Sequence, residues 1–279
     1  MVHFEETYHQ SIRISQSLVE DVRFNRSINL TPVKTCAGHI CRVLDSNSNI
    51  LNLLNSVQDK NPYMYSHPVN VAFISFAIGK WMNLNNSDLI NLVLTGLLHD
   101  IGKAKIKDSL LNRPGKLTEG EMATVRSHPY LGYKILEGLG ELEQEVLFGV
   151  LSHHERMDGT GYPGKLKDKE ISLYGRIIAI ADTYDAITAT KCYHPKSSPF
   201  KAIEEIQECS FGCLDPMICQ IFIHNIQNFY YGNTVRLNNE QVGEIIYVNP
   251  EERTRPLIRC ENEFLNLTKE RDIEIVEIL

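Results

Sequence analysis

"LTGLLHDIGKAKI" (residues 94–106) sets Leu94, Leu97, Leu98 and Ile101 at helical spacing and puts His99 and Asp100 on the same apolar stretch. A stripe of that period marks a helix packed into a core. An imidazole and a carboxylate buried there are costly unless each finds a partner. On a continuous helix Lys103 follows His99 by four residues and Asp100 by three, so the three side chains would share one region. The stretch predicts a helical core with a polar cluster set into it.

"RIIAIADTYDAITAT" (176–190) poses the same problem a second time. Asp182 lies among Ile177, Ile178, Ile180, Ala181 and Ile187, where a cation is the natural remedy for a carboxylate. Asp185, one turn on, can hydrogen-bond a group that holds that cation. In "SHHERMDGTGYPG" (152–164), His153 and His154 stand side by side before a run that is neither helix nor strand. Gly permits positive φ there and Pro fixes φ, so the run is a shaped loop. The histidines are read as binding something and the loop as covering it.

Working outward, residues 68–82, 87–99, 118–126, 129–138, 141–153, 172–190 and, in pieces, 199–228 read as helices, punctuated by clusters such as "NRPGK" (112–116). Residues 4–59 hold two or three helical patterns broken near "NLTPVK" (29–34), with Thr31 and Pro32 as cap and first turn. The last fifty residues change character. "TVRLNN", "QVGEIIYVNP" (241–250), "PLIRC" (256–260) and "DIEIVEIL" (272–279) read as short strands. The expected fold is mainly α, a helical bundle followed by a small β-barrel-like module. The expected division is 1–60, 61–231 and 232–279, with the boundary near Gly232, and the tail is taken as a packing or partner-docking module.

The 279 residues are 43% hydrophobic and 23% charged, an ordinary balance for a globular chain. The longest apolar run, "VAFISFAI" (71–78), is too short to span a bilayer. The start "MVHFEETYHQ" has no targeting signature, so a cytoplasmic location is expected. With a net charge of −7 and no dense Lys/Arg run, a long nucleic acid is excluded as a partner, whereas a small nucleotide in a local basic pocket is not. Seven cysteines, an odd number, read as reduced thiols. Cys209, Cys213 and Cys219 are taken as small buried hydrophobes and Trp81 as packing.

His67, His99, His128, His153 and His154, with Asp100 and Asp182, make a nitrogen and oxygen donor set that exceeds what one ion needs. Two ions bridged by one carboxylate, about 3.5–4 Å apart, would use it fully. Imidazole and carboxylate without thiolate suit iron(II), manganese, nickel or zinc.

"LLHDIGK" (97–103), "HP" (128–129), "HHERMDGTGYPG" (153–164) and "RIIAIADTYDA" (176–186) resemble, in order and spacing from about residue 61 to 228, the HD-GYP family of bacterial HD-domain phosphodiesterases of cyclic di-GMP. The resemblance implies an HD-domain helical bundle. It carries the metal ligands onto His67, His99, Asp100, His128, His153, His154 and Asp182, with Asp100 bridging two transition-metal ions, iron or manganese. Asp100 and Lys103 take the catalytic roles, and Lys103, Tyr162, Lys191 and Asp185 the substrate contacts.

Two departures stand out. Members with a third metal carry Glu where this chain has Tyr63, and the family's "RPY" arginine is replaced by Lys191 in "KCYHP". A lysine offers a point charge but no bidentate fork. The expected activity is hydrolysis of cyclic di-GMP to the linear dinucleotide and, more slowly, GMP. The alternatives are a cyclic di-GMP sensor, a protein that docks a diguanylate cyclase, or a hydrolase of a cyclic GMP-AMP hybrid. A homodimer is also compatible with the family.

Overall fold

The computed structural model describes residues 2–46, 50, 54, 61–189, 198–261 and 263–279. Lys191 and His194 therefore lie outside the described residues. Helices Val2–Arg23 and Thr31–Asp45 precede Tyr63–Trp81, Asn86–Leu98, a 3₁₀ turn Ile101–Lys105 and the short helix Asp108–Leu111. Glu119–Arg126, His128–Glu137, Gln144–Ser152, Leu173–Thr188, Pro199–Cys209 and Pro216–Tyr230 follow. Five short strands complete the order: β1 Thr234–Leu237, β2 Val242–Tyr247, β3 Leu257–Arg259, β4 Phe264–Asn266 and β5 Ile275–Ile278. Among the described residues, no helix is long and apolar enough to cross a membrane.

Every residue of the Tyr63–Trp81 helix from Ser66 to Gly79 except Asn70 is buried, and that follows from its composition. A helix apolar all round has no solvent face to offer. It lies at the centre of the bundle, against Asn86–Leu98, Leu173–Thr188 and the Val2–Arg23 helix. The helix begins five residues earlier than the sequence suggested. Pro62 is the N-cap residue, and Pro68 is carried inside the helix. Tyr63 and His67 thereby fall one turn apart on the same face.

Asn85 caps the next helix by accepting from the Asp88 amide, and the helix stops at Leu98 rather than running through Lys103. Close packing explains the stop. A Cβ on Gly102 would sit 2.0 Å from the His128 carbonyl oxygen and 2.6 Å from the Gly132 amide nitrogen. Only glycine lets the 3₁₀ turn cross the His128–Glu137 helix so closely. The cap predicted at Thr31 also moves by one residue. Leu30 is the N-cap, Thr31 begins the helix, and the Thr31 amide donates to Asn29 Oδ1 at 2.9 Å.

The tail is a five-stranded antiparallel sheet in the order β4-β3-β2-β1-β5, not a barrel-like module. β4 and β5 lie at opposite edges of the sheet. Closure needs paired edges and strands long enough to tilt, and β3 and β4 have three residues each. Val235, Leu237, Ile245 and Ile258 are buried and belong to the main apolar core. Cys219 is fully buried, Cys209 and Cys213 are half-buried, and Trp81 packs against Phe222 with ring centroids 6.1 Å apart.

Candidate metal centre

Several helix termini and two helix interiors converge on one buried volume. His67 comes from the second turn of the Tyr63–Trp81 helix, and Asp182 from the interior of Leu173–Thr188. His99 and Asp100 follow the end of Asn86–Leu98, His128 opens its own helix, and His153 and His154 follow Gln144–Ser152. The structure brings all seven together. His67, His99, Asp100, His128 and His153 are buried, while Asp182 and His154 are each 16% exposed at the side chain.

Hydrogen bonding on the outer nitrogens decides what the inner ones can do. His99, His128 and His153 each direct Nδ1 at a backbone carbonyl three residues back, on Gly96, Val125 and Val150, at 2.8, 2.8 and 2.7 Å. A carbonyl only accepts, so each Nδ1 carries the proton and each Nε2 of a neutral ring is a bare lone pair. His128 Nε2 and His153 Nε2 face each other at 3.3 Å. His99 Nε2 and Asp100 Oδ1 are buried without a well-formed hydrogen bond. Acceptors turned toward one another in this way call for a cation between them.

The donors fall into two groups, each with its atoms within 4.8 Å of one another: Asp100 with His128, His153 and His154, and Asp100 with His67 and His99. Asp100 is common to both. Asp182 reaches toward each group, 3.1 Å from His67 Nε2 and 4.0 Å from His154 Nδ1.

The charge states suit a metal. Burial opposes ionisation of Asp100, but the Lys103 ammonium beside it holds its carboxyl well below the ordinary range. Burial likewise opposes the Asp182 charge, and the hydrogen bond and charge of His67 outweigh it. Burial pushes His99 and His153 down, and His154 down to about 3, so these rings are neutral. For His67 burial is outweighed by Asp182 and Asp185, which raise it to about 9. Ionised carboxylates and mostly neutral imidazoles are what a divalent cation requires. The residues present fit the group.

Lys103 Nζ donates to Asp100 Oδ2 from the 3₁₀ turn, so the lysine, histidine and aspartate meet as expected although no continuous helix joins them. Asp185 is buried, with Oδ2 at 2.6 Å from His67 Nδ1 and Oδ1 accepting from Asn70 Nδ2 at 2.8 Å. Both of its oxygens are engaged, which suits the orienting role. Tyr162 stacks on His154 with ring centroids 4.7 Å apart, at the rim of the cluster.

Two residues at the rim escaped the sequence reading. Glu155 is buried, and its carboxylate accepts from the Gly164 amide at 2.5 Å and the Leu166 amide at 3.1 Å. It ties the glycine loop back to the residue after the paired histidines. An acid between two histidines and a glycine run, whose free amides need acceptors, was the available signal. Gly161 lets the loop lie down on that acid, since a Cβ there would stand 2.4 Å from Glu155 Cα. Arg126 lies over the Tyr162 ring, 5.5 Å from its centroid.

A family profile described as the HD domain matches residues 52–218. The chain belongs to the HD-domain family. Its HD, HH and GYP motifs are the ones that carry the resemblance to the HD-GYP proteins. This HD-domain chain is 32% identical over 248 residues to cyclic di-GMP phosphodiesterase PA4108 of Pseudomonas aeruginosa, covering 87% of this chain and 60% of that protein. It is 33% identical over 178 residues to a cyclic di-GMP phosphodiesterase of Thermotoga maritima, covering 62% and 47%. It is 32% identical over 216 residues to 3'3'-cGAMP-specific phosphodiesterase 3 of Vibrio cholerae, covering 74% and 46%. The chain thus spans about half the length of these relatives. In fold it is similar to Bd1817, a HDG"Y"P protein from Bdellovibrio bacteriovorus, with a TM-score of 0.65 at 18% identity, covering 77% of this chain and 69% of that one.

Proposed function

We propose that this HD-domain chain hydrolyses a phosphodiester bond of a cyclic dinucleotide, cyclic di-GMP in the first place, at a centre holding two iron or manganese ions. The observation that carries the reading is the pair of donor groups sharing Asp100, with Lys103 beside it. Two divalent ions in such a site lower the pKa of bound water and neutralise charge on phosphoryl oxygens. His67, His99, Asp100, His128, His153, His154 and Asp182 would hold them. Lys103, whose ammonium Asp100 and Asp182 stabilise against burial, supplies fixed positive charge where the phosphate must sit. Tyr162, in contact with both His154 and Arg126, forms the rim against which a base or ribose packs.

Tyr63 supports two ions rather than three. Its hydroxyl is 3.0 Å from His67 Nδ1, and burial with the neighbouring Asp185 raises its pKa, so it remains a protonated phenol and a poor ligand. The relatives named for cyclic di-GMP and for 3'3'-cGAMP support a cyclic dinucleotide as the substrate class. With a lysine at 191 in place of a guanidinium fork, the linear product is rebound with fewer directional contacts and must first lose conformational freedom. The linear dinucleotide should therefore accumulate ahead of GMP.

Chromatography of timed reactions tests this, using protein loaded anaerobically with iron(II) or manganese and supplied with cyclic di-GMP or 3'3'-cGAMP. Cleavage of cyclic di-GMP to the linear species is expected. Binding of both nucleotides without turnover by metal-loaded protein would reject the hydrolase reading in favour of a sensor.

A further inference from the structure

The Val2–Arg23 helix lies outside the residues that match the HD domain, yet one hydrogen-bonded path joins it to a ligand of the centre. Tyr8 is 2% exposed, and its hydroxyl donates to Asn70 Oδ1 at 2.8 Å. Asn70 stands three residues after His67 on the central helix, and its Nδ2 donates to Asp185 Oδ1 at 2.8 Å. Asp185 Oδ2 lies 2.6 Å from His67 Nδ1.

Each link fixes the next. A donating Tyr8 holds the Asn70 amide with its oxygen outward and its NH₂ toward Asp185. That NH₂ holds the carboxylate so that its second oxygen takes the proton on His67 Nδ1. His67 Nε2 is then left facing Asp100 and Asp182, at 3.5 and 3.1 Å. With the tyrosine hydroxyl gone, Asn70 Oδ1 loses its donor, the amide is held by the carboxylate alone, and the restraint on Asp185 and through it on His67 slackens.

The helix is also tied to the bundle at both ends. Arg23 makes two bonds to Asp108, at 3.0 and 2.8 Å, and Lys105 Nζ caps the C-terminal end through Val22 O and Asn25 Oδ1. Phe4 and Tyr8 meet the Phe73 ring edge-on, at 5.4 and 5.9 Å between centroids.

We infer that Tyr8 and Asn70 are positioning residues for His67, so that the first helix is a working part of the metal centre; this rests on the metal-centre reading above. Tyr8→Phe keeps the ring against Phe73 and removes only the hydroxyl. In the full chain it should weaken Mn²⁺ binding at one of the two sites by about threefold, measured by chelator competition, less than the roughly 10–100-fold that follows loss of a ligand's direct hydrogen-bond partner, because Tyr8 acts through Asn70 and Asp185. The visible absorption of the Co²⁺-loaded variant should shift with it. Phe4→Leu, a packing change on the same helix, should lower the melting temperature without moving either readout. Wild-type Mn²⁺ affinity and an unchanged Co²⁺ spectrum in Tyr8→Phe would overturn the inference, as would an equal change in Phe4→Leu. If Tyr8→Phe does not fold, Asn70→Ser is read by the same measurements. A wild-type chain that binds no Mn²⁺ would instead reject the metal-centre reading, and this inference with it.

Discussion

Replacing Glu155 by Gln tests whether the glycine loop is held by that one buried carboxylate. In the native chain both carboxylate oxygens are engaged, one by the Gly164 amide and one by the Leu166 amide. A glutamine presents a single oxygen and turns an NH₂ toward the other amide. One charge-assisted hydrogen bond is lost and a buried donor is left facing a donor, a cost of about 1.5–3 kcal/mol. That energy falls on the loop, because no secondary-structure ladder supports residues 161–166. At about 1.4 kcal/mol per factor of ten, the open population of the loop should rise roughly 10–100-fold. Hydrogen exchange followed by mass spectrometry should show faster exchange confined to the loop peptide, with the Tyr63–Trp81 helix as protected as in the wild type. Because Tyr162 rides on this loop, KM for the dinucleotide should rise more than kcat falls. Loop exchange at the wild-type rate would refute the reasoning, and so would acceleration shared equally by the central helix.

Gly102→Ala should destabilise the chain by about 3 kcal/mol in urea unfolding, because its Cβ meets backbone atoms of His128 and Gly132 that cannot rotate away; an unchanged midpoint would count against that packing. Asp182→Ala should reduce hydrolysis more than about 100-fold in a chain that still shows native far-ultraviolet dichroism, whereas near wild-type turnover with metal present would reject it as a ligand. Chelator-treated protein should lose stability between pH 6.5 and 5. His99, His153 and His154 are depressed below 6.5 in the folded state, so over that range the unfolded chain takes up protons that the folded chain refuses. His67, raised to about 9, is protonated in both states at the lower end of that range and cannot offset the loss. A urea midpoint that is flat over this range would contradict the assigned burial of neutral rings.

Five of the seven residues in the buried histidine and aspartate cluster were legible because each breaks a strong local pattern. His99 and Asp100 end an apolar helix, Asp182 interrupts one, and His153 and His154 stand where a helix gives way to glycines. A polar group in such a place has few physical explanations. What the sequence hid was mostly set by distant backbone. Pro68 marks a helix start in local terms, yet the helix begins at Tyr63, which gives Tyr63 its contact with His67. The 3₁₀ turn at Ile101–Lys105 depends on how closely Gly102 can approach His128, two segments 26 residues apart. β4, three residues long, carries too little alternation to be read at all, and without it and its edge position the tail looked closable. Glu155 and Asn70 are ordinary polar residues in sequence, and they acquire a role only once the loop and the first helix are folded against them.

The most direct test of the buried constellation is anomalous scattering from crystals of manganese-loaded protein. Two peaks per chain are expected, about 3.5–4 Å apart. Asp100 should lie between them, with His128, His153 and His154 around one and His67 and His99 around the other. A single ion, three fully occupied ions, or two ions without Asp100 between them would contradict it.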